Sequence, residues 1–250
     1  MNAQRLLSLI LSATLAGPAL AAGDDKFDDY FDTQMKAAQK AMSEKRYASV
    51  KETVTELEKA LAKADPSYGE KSQWAYVLDF KRFALVEMGE QEAALESCRR
   101  TVKVLASNDW PYLEEFNVVR AARRACHNML AWEHSAAATT LAQHEEAIAQ
   151  IEQCFATVSP IEDDSVLDNF YETRATVYLK ANALAKNKYQ PQLFDTLARA
   201  DLRKLALDDD PEFAKIMKTP AYLSFRKDFK LPKKNTRPGI NLSSISSDDR

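Results

Sequence analysis

The chain has 250 residues, and its 34 Lys and Arg against 37 Asp and Glu give a formal net charge of -3 at pH 7. Because both signs of charge are mixed along the sequence, we expect neither a nucleic-acid-binding surface nor a polybasic membrane surface. The 5 Gly, the 9 Pro, the 46% of hydrophobic residues and the lack of alternating Val, Ile and Thr segments predict an all-α protein without strands.

Residues 1–21 have the pattern of a secretory signal peptide. A positive charge at Arg5 precedes the apolar run 6–16, and small residues lead up to Ala21, where we expect cleavage. The run is too short to cross a hydrocarbon core about 30 Å thick. Since the first cysteine is Cys98, a lipid anchor at the N-terminus is not expected either. The sequence therefore predicts a periplasmic or secreted protein without a membrane anchor.

The sequence from residue 22 to 230 predicts one helical domain. Its apolar residues recur at the i, i+3, i+4 and i+7 spacings of helices that bury one face. Pro66 and Gly89 mark breaks between helices, because proline disfavours helix in the residue before it and glycine allows a tight turn. Successive antiparallel hairpins are predicted from helices at residues 26–43, 46–64, 70–88, 90–106, 110–133, 138–158, 165–186 and 191–207.

Two of these helices share one apolar pattern, which indicates an internal repeat. The fourth helix carries Ala94, Leu95, Cys98, Val102 and Leu105 on one stripe, and the sixth carries Ala147, Ile148, Ile151, Phe155 and Val158. Turns are expected at Lys45, Gly89, about Ala142 and Asn187, at intervals longer than the roughly 34 residues of a standard helical repeat unit.

The segment 88–96, with the sequence MGEQEAALE, resembles the turn and second-helix start of a tetratricopeptide repeat. Segments 44–47 and 186–189 resemble the same turn with its aromatic residue but without its glycine. The resemblance covers most of residues 26–230 and implies a TPR-like right-handed α-solenoid. It also implies that residues 208–230 form a cap that closes the array. Residues 231–250 lack apolar periodicity, which predicts a flexible tail.

The three cysteines leave two interpretations open. Cys98, Cys126 and Cys154 all fall on or beside apolar helical faces, which is typical of buried thiols that act as small hydrophobic residues. Export to an oxidising compartment would instead favour one disulfide and one remaining thiol. The sequence does not decide whether any two of them are joined.

Cys126, His127 and His134 are the best candidates for metal-dependent or thiol-dependent catalysis. His127 and His134 are seven residues apart and can share a helix face, but no second closely spaced pair completes a tetrahedral site. The sequence also lacks a glycine-rich phosphate loop, a nucleophile elbow and a His-Glu-x-x-His motif. We therefore expect no cofactor, no metal and no catalysis.

A basic stripe on the fifth predicted helix is the candidate binding surface. It consists of Asn117, Arg120, Arg123, Arg124, His127 and Asn128. The tetratricopeptide resemblance implies that this helix lines the concave groove, where arginine could bind carboxylates with two parallel hydrogen bonds. The alternative is a solvated helix face, or a face that forms salt bridges to a neighbouring hairpin.

The function expected from these features is that of an exported scaffold. Stacked hairpins expose an extended concave surface that suits recognition of a protein or peptide in the cell envelope. An inhibitor or immunity protein against a secreted toxin is an alternative within the same class. The alternative of a different class is the enzyme based on Cys126, His127 and His134. The oligomeric state and the identity of the partner are left open.

Overall fold

The computed structural model describes residues 25–65, 71–106, 117–157, 168–202 and 206–230. The predicted signal peptide, 1–21, and the predicted tail, 231–250, lie outside these ranges. Within them the chain is all-helical and has no strand. The α-helices are α1 (Asp25–Ser43), α2 (Tyr47–Ala64), α3 (Lys71–Glu87), α4 (Gln91–Val104), α5 (Asn117–Ala137), α6 (Leu141–Ala156), α7 (Asp168–Leu184), α8 (Gln190–Asp201), α9 (Pro211–Met217) and α10 (Pro220–Asp228).

The first eight helices form four successive hairpins, in which each helix packs against the next. The middle helix α5 also packs against α3 and α7, the first helices of the neighbouring hairpins. Contacts that stay between neighbours along the chain are the mark of a repeat array, in contrast to a bundle around one centre. The predicted all-α array of helical hairpins is therefore confirmed.

Three of the four hairpins close with related backbone turns. In each turn a residue with positive φ follows the first helix: Lys45 (57°), Gly89 (75°) and Lys186 (49°), the last of which is followed by a second such residue, Asn187 (67°). The N–H of the following residue then donates to a carbonyl five residues earlier, as in a Schellman motif. These bonds of 2.8 to 2.9 Å run from Arg46 to Ala41, from Glu90 to Leu85 and from Asn187 to Asn182.

The third hairpin closes differently, and its helix ends are shifted by three to four residues from the predicted ones. Helix α5 continues to Ala137 instead of residue 133, and α6 begins at Leu141 instead of residue 138. A capping box sets this start: Thr140 Oγ1 accepts from the Gln143 N–H at 3.4 Å, and Gln143 Oε1 accepts from the Thr140 N–H at 3.2 Å. The turn therefore precedes Ala142.

After α8 the chain ends in short helices. Helix α8 stops at Asp201, not at residue 207 as predicted, and a 3-10 helix at Ala206–Asp209 follows. Helices α9 and α10 are capped by the side chains of Asp210 and Thr219. Phe213 of α9 and Tyr222 of α10 are buried in one apolar cluster with α8, where the Tyr222 ring meets Phe194 edge-on at 5.4 Å.

The buried apolar residues form three clusters, and α5 contributes to all of them. Val119 and Ala122 join the cluster formed mainly by α1, α2 and α3. Ala131 joins the cluster formed by α6, α7, α8 and the short C-terminal helices. Cys126 and Leu130 meet α4 in a small cluster between the two large ones. Helix α5 is thus enclosed on most sides, which decides how much of its surface a partner can reach.

Candidate partner-binding groove

The structure buries most of the predicted basic stripe of α5. The exposed fractions are 4% for Arg120, 3% for Arg123, 3% for Arg124, 6% for His127 and 4% for Asn128, whereas Asn117 at the helix start is exposed. The expectation of an open basic surface is therefore wrong, and so is the alternative of a solvated face. That these residues bind a partner stays a prediction, since a partner reaches little of them in this conformation.

The buried stripe faces α6 and the start of α7. Arg124 Nε donates to Thr157 Oγ1 at 3.4 Å, and its guanidinium lies 5.8 Å from the centre of the Phe170 ring. His127 Nδ1 lies 2.7 Å from Gln150 Oε1. Arginine tolerates such a place because its apolar stem packs against neighbours while its planar head stacks on a ring. None of the three arginines of the stripe lacks an interaction partner.

Burial lowers the pKa of two histidines, one in this stripe and one on α6. It lowers the pKa of His127, and the positive charge of Arg123 lowers that pKa further. His144 of α6 is fully buried, and its Nε2–H donates to Val177 O at 2.8 Å. Burial, together with the charge of Lys180, lowers the pKa of His144 as well. Among the described residues, His144 Nδ1 has no hydrogen-bond partner, so a proton there would lie in the core without an acceptor.

These lowered pKa values predict that the protein loses stability in mild acid. Each histidine binds its proton less readily in the folded than in the unfolded chain. The contribution of these histidines to the free energy of unfolding therefore has its full value above pH 6.5 and declines as the pH falls below it. We expect the Tm of the His144→Gln variant to fall less between pH 7.5 and 5.5 than the wild-type Tm. His134→Gln, which keeps both buried histidines, is the control. An equal loss in His144→Gln and the wild type would contradict this origin of the acid effect.

The face of α5 that remains accessible is apolar. It carries the α5 strip, defined as Val118, Ala121, Ala125, Met129 and Trp132, of which Ala121 is exposed and the others are half-buried. At about 100° per residue these five side chains share one side of the helix. The strip lies opposite the side that meets α6, which explains why it escapes burial.

Half-buried faces of α3 and α7 border the strip. Helix α3 contributes three half-buried aromatic residues, Tyr76, Phe80 and Phe83. Helix α7 contributes Thr176, Leu179 and Lys180, all half-buried, and the Lys180 ammonium donates to Ser135 O near the end of α5. Because α5 packs against both helices, these half-buried residues belong to the helices on either side of the strip, and we call the three sets of residues together the groove.

The residues of the predicted catalytic alternative are not brought together. Cys126 is fully buried in the small cluster with α4, whereas the neighbouring His127 contacts Gln150 of α6. His134 is half-buried, two turns further along α5. In the parts of the chain that the structure describes, no group of three or more His, Cys, Asp or Glu side chains is arranged to hold a metal ion.

None of the helices in the described ranges combines the length and the apolar character needed to cross a bilayer. Comparison with known proteins gives no match to a protein-family model, to a curated protein or to a solved structure.

Proposed function

We propose that this protein is an exported scaffold of the cell envelope that binds a protein or peptide partner in the groove and does not catalyse a reaction. The observation that carries the proposal is the accessible α5 strip, framed by aromatic residues of α3 and a partly polar face of α7. The periplasm is the proposed compartment because residues 1–21 have the pattern of a signal peptide.

The chemistry of the groove suits an apolar segment of a partner chain. Aromatic side chains dominate the energetics of protein interfaces, because they bury a large area at a small cost in conformational entropy. Trp132, Tyr76 and Phe83 are half-buried, so each keeps part of its ring available for such burial. Ala121 and Ala125 between them leave room for the backbone of a helix or an extended segment to approach closely.

The test is a matched pair of alanine-to-arginine variants of the mature chain, used as bait in the native envelope fraction. Ala121 is exposed in the groove, and Ala149 is exposed on the outer face of α6. We expect Ala121→Arg to weaken capture of the partner at least about tenfold, because the arginine places a hydrated charge against an apolar segment. Ala149→Arg should capture the partner as the wild type does.

Both variants should keep the helical circular-dichroism spectrum, since both positions are exposed on helices. A partner that is retained equally by Ala121→Arg and by the wild type would remove the groove as its binding surface. If quantitative proteomics finds no protein enriched on the wild-type bait over Ala121→Arg, the scaffold proposal fails with it.

A further inference from the structure

The three cysteines occupy two different surroundings. All three are buried as free thiols. Cys98 of α4 and Cys126 of α5 are two of the four buried members of the small cluster between these helices, together with Leu95 and Leu130. Cys154 of α6 belongs to the separate C-terminal cluster. The fold therefore places Cys154 apart from the other two cysteines. Their spacing along the sequence does not distinguish one of them from the others.

Cys98 and Cys126 lie in one small cluster where α4 packs against α5. Both are among its four buried members, and Cys98 Sγ lies 3.8 Å from the sulfur of Met129, one turn after Cys126 on α5. Burial raises the pKa of Cys98, and the neighbouring Cys126 thiol raises it further. Two thiols on adjacent helices that share one packed cluster need only a modest displacement to reach the geometry of a disulfide.

We propose that Cys98 and Cys126 form a disulfide that joins the second hairpin to the third, while Cys154 stays a thiol. The bridge ties α4 to α5 next to Met129 of the α5 strip, so it fixes the helix that carries the groove. The proposal does not depend on the groove being a binding site, because it concerns only the oxidation state of the two thiols.

The oxidant is a small-molecule or protein disulfide, such as oxidised glutathione. One cysteine thiolate attacks a glutathione sulfur and releases one glutathione, and the second cysteine then attacks the mixed disulfide and releases the other. The two protein thiols lose two electrons to the oxidant, and their protons end on the two glutathione thiols. Burial raises the pKa of Cys98 in the folded core, so the bond forms most readily during folding, before the cluster excludes solvent.

The experiment refolds the whole chain in a buffer of reduced and oxidised glutathione, traps the remaining thiols with iodoacetamide in denaturant, and maps them by mass spectrometry. Trypsin alone leaves Cys126 and Cys154 on one fragment, because no Lys or Arg lies between residues 124 and 174. A glutamate-specific protease separates them at Glu133 and Glu152. We expect a linked pair of peptides that carry Cys98 and Cys126, two hydrogens lighter than their sum, and alkylation at Cys154 only.

Reduction of the refolded protein should lower its Tm by on the order of 5–10 °C, because the bridge restricts the unfolded chain. Cys154→Ser is the matched control and should form the same bridge, whereas Cys98→Ser should leave both remaining cysteines open to alkylation. Alkylation of all three wild-type cysteines in oxidising glutathione, or any bridge that includes Cys154, would overturn the proposal.

Discussion

Replacing Asp79 by alanine is expected to lower the free energy of unfolding by about 3–5 kcal/mol, as is typical when one partner of a buried ion pair is removed. Asp79 Oδ1 accepts two hydrogen bonds from Arg82, at 3.0 Å from Nε and at 2.7 Å from the terminal nitrogen. The side chains are only 10% and 7% exposed. Without the carboxylate, the guanidinium stays charged beside the apolar cluster of α4 and α5, which makes the loss large.

A double-mutant cycle, measured by urea denaturation, separates the energetic contribution of the ion pair from that of the surrounding packing. Asp79→Leu combined with Arg82→Met should recover most of the loss, because an apolar pair of similar volume replaces a buried ion pair at little cost. Glu96→Ala is the control for helical ion pairs, since Glu96 and Arg99 have the same i, i+3 spacing but are 71% and 44% exposed. Its effect should stay below about 0.5 kcal/mol. An equally small effect of Asp79→Ala would contradict the burial argument.

Trp74→Ala is expected to destabilise the N-terminal hairpins by about 3–5 kcal/mol, because it deletes a fully buried indole from a packed core. Trp74 belongs to the cluster of α1, α2 and α3 and is 0% exposed. Its Nε1–H donates to Asp65 Oδ2 at the end of α2 over 3.0 Å, and the Arg100 guanidinium lies 5.6 Å from its ring. The side chain therefore contacts the end of α2 in the first hairpin and α4 in its own hairpin.

A graded series tests whether packing or the hydrogen bond dominates this effect. Trp74→Phe keeps most of the apolar volume and removes the donor, so we expect a loss of about 1–2 kcal/mol. Tyr30→Ala on α1, where the ring is 42% exposed, should change stability by less than about 0.5 kcal/mol. If Trp74→Ala cost no more than Trp74→Phe in urea denaturation, the hydrogen bond rather than the indole volume would be the main contribution.

The helical architecture could be predicted because its signals are local. Apolar spacing gives each helix one buried face, and Gly89 and the lysines at the hairpin turns lie where the chain takes positive φ. The ends that differ most from the prediction are those without such a signal. Ala136 and Ala137 continue α5 smoothly, and only the capping box of Thr140 determines where α6 begins. A capping box is a weak pattern inside a run of helix-forming residues.

The candidate site could not be predicted in the same way. Helix α5 has an apolar half and a basic half, and both repeat with the period of a helix. Periodicity identifies the two halves but does not say which one is buried, because arginine can be buried when its head finds partners and its stem packs. The pattern favours the apolar half inside and the basic half outside, whereas the structure buries the basic stripe together with Val119, Ala122 and Cys126 of the apolar half.

The sequence by itself determined the helices, most of their turns and their order in the array, because these depend on residues within a few positions of one another. The tertiary structure alone decided that the basic stripe of α5 lies against α6 and α7, that the α5 strip stays accessible, and that Cys98 meets Cys126 rather than Cys154. The physical reason is that α5 has neighbours on several sides. Which side of α5 each neighbouring helix covers depends on how whole hairpins pack, and no local sequence pattern predicts it.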